Sequence, residues 1–63
     1  MMFIDYTAPG YSRGDVIKIK GKAMPFKIVD IMEEDGKNLY LVKLIQEYII
    51  EENQIVKLIK QSK

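Results

Sequence analysis

At 63 residues the chain has room for one domain, and a domain this short hides only about 60% of its unfolded surface on folding, so nearly every apolar residue is needed. Hydrophobic residues make up 48% and charged residues 30%, with a formal net charge of +1; this excludes a disordered tail and leaves no bulk electrostatic case for nucleic acid. The absence of cysteine and histidine excludes thiolate chemistry, removes the commonest general base and metal ligand, and favours a reducing compartment, with the cytoplasm as the expected location.

Residues 1–13 read as an N-terminal arm, in which Phe3, Ile4 and Tyr6 are able to pack and Pro9-Gly10 marks a turn. The opening MMFIDYTAPG has neither a basic n-region nor an apolar h-region, and no apolar run approaches the roughly 20 residues needed to cross a bilayer, so no signal peptide and no membrane anchor are expected. Gly14-Asp15 then opens the first strand, Val16 to Lys20, with Ile17 and Ile19 on one face and Lys18 and Lys20 on the other. Gly21-Lys22-Ala23 forms a loop. Pro25 precedes a second strand, FKIVDIM, whose core residues are Phe26, Ile28 and Ile31, and the change of phase between Ile28 and Ile31 predicts a bulge.

The segment EEDGKN predicts a hairpin, because Asp35-Gly36 tolerates the positive φ angles that match strand twist. Leu39 to Ile45 follows as a third strand, Glu47 to Ile50 as a fourth, Glu51 to Gln54 as one helical turn and Ile55 to Leu58 as a fifth. An alternative architecture, a three-stranded sheet plus a C-terminal amphipathic helix, arises because Ile45, Tyr48, Ile49, Val56 and Ile59 share one helical face. Against the helix, Glu52 interrupts the stripe, Ile50, Ile55 and Leu58 fall off it, and β-branched residues dominate.

The order GDVIKIK, KIVDI, YLVKL and EYIIEENQIVKL resembles the small SH3-like barrels, including the KOW-type and Tudor-like domains, and short proteins of low-GC Gram-positive bacteria or their phages. Ten isoleucines and nine lysines against one arginine and two alanines agree with an AT-rich source. The resemblance covers about 45 residues, by pattern and turn chemistry, and it implies an all-β, five-stranded barrel over residues 14–59, with one helical turn before the last strand and a tail at 60–63. A KOW-type domain implies a glycine before the second strand, for which Gly21 is the sole candidate and lies far from Phe26; a Tudor-like domain implies an aromatic cage, for which Tyr6, Tyr11, Phe26, Tyr40 and Tyr48 are the available rings.

No catalytic motif emerges. The interval from Gly14 to Gly21 is too long for a phosphate-binding loop, and Ala23 stands where a magnesium-holding hydroxyl belongs. Arg13-Gly14-Asp15 spells an adhesion tripeptide, but Gly14-Asp15 already serves a strand start. Glu33, Glu34 and Asp35 match no calcium loop and read as a solvated hairpin tip. No cofactor and no metal are expected, and no enzymatic activity.

Two kinds of binding residue remain, beside their plain structural roles. Tyr6, Tyr11, Phe26 and Tyr40 are the candidate protein-binding residues of a non-catalytic interaction module, acting together with an exposed strand edge; as structural residues they are core or rim rings with a wet hydroxyl. Lys18, Lys20, Lys22 and Lys27 form a candidate ridge for RNA or single-stranded DNA, or simply keep an outward strand face soluble; Lys57, Lys60 and Lys63 add positive charge near the end. A third reading is a structural subunit that self-associates through the isoleucine-rich segment 45–59.

Overall fold

The structure, a computed structural model, describes residues 9–62. It is all-β: β1 (Val16–Ile19), β2 (Phe26–Glu34), β3 (Lys37–Lys43), β4 (Glu47–Glu51) and β5 (Ile55–Lys60), with a 3-10 turn at Glu52–Gln54 between the last two strands. All five lie in one antiparallel sheet of order β4-β3-β2-β1-β5. The amphipathic-helix alternative for residues 45–60 is overturned. Ile50 and Ile55 are both buried, which strands on either side of a short turn achieve and a single helical stripe through Ile49 and Val56 does not.

Local sequence accounts for most of the turns. Asp35 (φ 54°) and Gly36 (φ 76°) close a two-residue hairpin between the paired Glu34 and Lys37, and the Glu33 carboxylate accepts the Gly36 N–H at 3.2 Å. Because this loop is so tight, β3 starts at Lys37, two residues before the expected Leu39. It ends at Lys43, because Leu44 donates its N–H to the Gln46 carbonyl at 3.3 Å and turns the chain; Ile45, expected in the strand, is 86% exposed at the tip. β1 likewise stops at Ile19, since the Lys20 N–H leaves the ladder for the Gln54 carbonyl at 2.8 Å.

The bulge expected in β2 is present. Ile28 pairs with Val42 and Asp30 with Leu41, leaving Val29 as the extra residue. Two further register shifts interrupt the β1–β5 pairing. These irregularities let the sheet bend over its own inner face, where Ile17, Ile19, Phe26, Ile28, Tyr40, Val42, Ile50 and Ile55 are buried and Tyr11 and Ile31 pack against them. The outer face carries the alternate residues of each strand.

The end of the arm and the end of the chain are tied to this core. Gly14 donates its N–H to the Ile28 carbonyl and Ile28 returns one to the Asp15 carbonyl, both at 2.8 Å, extending the β1–β2 pairing backwards. The buried Asp15 carboxylate accepts the Ser12 N–H and the Ser62 N–H, each at 2.9 Å. Gly-Asp thus starts the strand and clasps residues 12 and 62 together. Gly14, at φ 90°, has no room for a side chain, because a Cβ there would sit 2.8 Å from the Ser62 Cβ.

Candidate functional site

The rings singled out in the sequence fall into two packed pairs instead of a cage. Tyr11 meets Tyr40 edge-on with centroids 5.9 Å apart, and Phe26 meets Tyr48 in the same way at 5.9 Å. Tyr40 is fully buried in the core, and Phe26, 5% exposed, packs in the core with one edge towards the surface; Tyr11 is half-buried against Tyr40, and Tyr6 lies outside the described residues. The reason is register. Tyr40 on β3 pairs with Ile50 and Phe26 with Ile17, and all four side chains share the inner face.

The Tyr40 hydroxyl donates to Glu52 Oε1 at 2.9 Å, to which Asn38 Nδ2 also donates at 3.3 Å. Burial first, and then the hydrogen bond to and the charge of Glu52, push the Tyr40 hydroxyl up to about 12, with the nearby backbone of Tyr11 and Gly10 pulling the other way. A phenol so firmly protonated at neutral pH is a structural tie.

The exposed apolar surface lies elsewhere, at the β3–β4 end of the sheet. Phe26, Leu44, Ile45, Gln46 and Tyr48 line a shallow cleft of about 290 Å³, and a neighbouring cleft of about 330 Å³ shares Phe26 and Leu44 and adds Val16, Pro25, Lys27, Val29 and Lys43. Each lies near the lower end of the range for small-molecule pockets. The Lys22 ammonium lies over Tyr48, 5.5 Å from the centroid of its ring. Leu44 is 43% exposed, Tyr48 43% and Ile49 61%, and with Ile45 they run directly onto β4.

Among the described residues β4 pairs only with β3 and β5 only with β1, which makes these two strands the edges of the sheet. The edges differ. β5 has two register shifts and carries Lys57 and Lys60, features that discourage another strand from pairing. β4 pairs in unbroken register over Glu47–Glu51 and has no lysine, proline or bulge.

The expected lysine ridge is divided. Lys18 and Lys27 lie on the outer face, since their neighbours Ile17 and Phe26 are buried on the inner one. Lys20 has left β1 for the turn, and Lys22 covers Tyr48 while its carbonyl accepts a hydrogen bond from Lys18 Nζ at 3.1 Å. In their place the register sets Lys43 opposite Lys27 and Lys57 opposite Lys18. Leu44 and Lys43 were not singled out as binding residues in the sequence, because their exposure follows from where β3 ends; Tyr48 and Ile49 entered there only as a cage ring and as part of the self-associating segment 45–59.

Among the described residues no group of three or more carboxylates gathers as a metal site, and no helix is long and apolar enough to cross a membrane. Comparison with protein-family models, with curated proteins and with solved structures gives no match to this chain.

Proposed function

We propose that the protein is a non-catalytic interaction module that receives an extended segment of a partner protein along β4. The observation that carries this reading is the meeting of an unprotected strand edge with an apolar cleft: β4 keeps unbroken register over five residues, with the Glu51 N–H at its end taken by Gln54 Oε1, and Leu44, Ile45, Tyr48 and Ile49 lie exposed beside it. An added strand gains its affinity from main-chain hydrogen bonds and its specificity from alternate side chains, here one set towards Tyr48 and the cleft and the other towards Ile49. The partner segment is accordingly apolar at alternating positions, with a basic residue suited to Glu47, since Glu51 is already paired with Lys37.

A second copy suits this edge less well. In the symmetric antiparallel register, Glu47 of one copy stands against Glu51 of the other on the same face as Ile49, and like charges directly opposite each other destabilise a pair. Self-association through residues 45–59 is therefore the weaker reading. The SH3-like barrel is the architecture that accompanies the proposal; the order β4-β3-β2-β1-β5, the bent β2 and the 3-10 turn before β5 support it.

The test is shift mapping by NMR with a panel of extended nonapeptides, alternating in apolarity and carrying basic, neutral or acidic ends. The expected result is perturbation of backbone amides over residues 44–51, strongest for the basic-ended peptides, and its loss in Ile49→Lys, which places a charge on the free edge. Perturbation centred on β5, or no binding by any peptide, overturns the reading.

A further inference from the structure

The outer face carries two like-charged cross-strand pairs. Lys27 stands opposite Lys43 across β2 and β3, and Lys18 opposite Lys57 across β1 and β5. Val16 pairs with both Lys27 and Lys60, so Lys60, Lys27 and Lys43 fall in one row that crosses β5, β1, β2 and β3, a span of about 14 Å at the usual strand spacing. Lys18 and Lys57 form a second row about 7 Å further along β1.

Little opposes this charge. The ion pairs among the described residues are Arg13–Asp30 and Lys37–Glu51, at 4.0 and 3.9 Å, and neither involves the five lysines. Of the acidic residues of β2 on this face, Asp30 is thus already engaged and Glu34 stands opposite Lys37 at the far hairpin end; Glu47 faces Lys43 at the β4 end of the row, beyond salt-bridge distance. Lysines directly opposite each other destabilise a sheet. Solubility does not require such a placement in a chain of net charge +1, since scattered charges of both signs serve it.

We infer that this outer face is a binding surface for the phosphodiester backbone of nucleic acid, independent of sequence and separate from the β4 edge. Ammonium groups act as point charges without directional demands, which suits phosphates at variable spacing. Lys18, Lys27, Lys43, Lys57 and Lys60 are the contacts. No aromatic residue of the described strands shares the outer face, which leaves no platform for base stacking and directs recognition to the backbone. The bending that buries the inner face makes the outer one convex, a shape that a nucleic-acid strand follows and a flat anionic bilayer touches only at its crest.

The experiment is titration of the whole chain against fluorescent single-stranded RNA, single-stranded DNA and duplex DNA of mixed sequence, from about 50 to 200 mM salt, with polyglutamate and phosphatidylserine vesicles as further arms. Binding to at least one nucleic acid is expected with a log–log salt slope near −3 to −4, as for about four or five neutralised phosphates. In Lys27→Gln/Lys57→Gln the slope falls by about 1.5–2 while the melting temperature rises, because one member of each repelling pair is gone. The three nucleic-acid arms tell which backbone is preferred. Absence of binding at low salt, a slope unchanged in the double variant, a lowered melting temperature in that variant, or equal affinity for polyglutamate or vesicles would each overturn the proposal.

Discussion

The hydroxyl of Tyr40, midway along β3, donates to the carboxylate of Glu52 in the 3-10 turn at 2.9 Å, and the Tyr40 ring packs edge-on against Tyr11. One buried side chain therefore ties the incoming arm, β3 and the connection to β5. A hydrogen bond to a charged acceptor is stronger than a neutral one, so Tyr40→Phe should cost about 2 kcal/mol, and Glu52→Ala a similar amount by stranding the hydroxyl. Denaturant titration checks both. Glu52→Gln, which keeps an acceptor, should lose less.

The same tie predicts alkaline sensitivity. The Tyr40 hydroxyl is raised from its ordinary value of 10.0 to about 12, so the folded state holds its proton more firmly than the unfolded state does. The stabilisation is complete below pH 10 and is lost as the pH rises towards 12, amounting to roughly 2 kcal/mol. Melting curves between pH 8 and 12 should show this fall in the native chain and a shallower one in Tyr40→Phe.

Asp15 and Gly14 hold residues 12 and 62 together. Asp15→Ala removes the acceptor for the Ser12 and Ser62 N–H groups and should cost about 2–3 kcal/mol, with faster hydrogen exchange at both amides. Gly14→Ala combines a strained φ of 90° with a Cβ only 2.8 Å from Ser62 Cβ, and should destabilise by more than about 1 kcal/mol. Gly21→Ala, at φ 80° but with open space around it, is the control that isolates the backbone strain.

Phe26 and Ile49 should separate core from surface. Phe26→Ala empties a buried site packed on Tyr48 and should cost about 3–5 kcal/mol, a large share of the stability of so small a domain, read as a lowered denaturation midpoint. Ile49→Lys, at a position 61% exposed, should change stability by less than about 0.5 kcal/mol while abolishing peptide binding. An equal loss of stability in both variants would remove Ile49 from the surface role.

Local chemistry was legible in the chain itself. The Asp35-Gly36 hairpin, the Ile17/Ile19 face, the bulge after Ile28 and the turn before Ile55 all follow from φ preference, period-two alternation and β-branching, which depend on near neighbours alone. The candidate site was legible only in kind. That tyrosines and lysines were the residues to weigh could be seen from composition, but Tyr40 and Tyr48, both in apolar strands, are distinguished only by the sheet: the first lies on β3, paired on both sides, while the second lies on the edge strand beside a β3 that ends at Lys43. The pairing of Lys27 with Lys43 and of Lys18 with Lys57 was hidden for the same reason. Which side chains stand opposite each other across strands far apart in the chain is set by register, and register is fixed by burial of the whole inner face at once; no local stretch of residues contains that information.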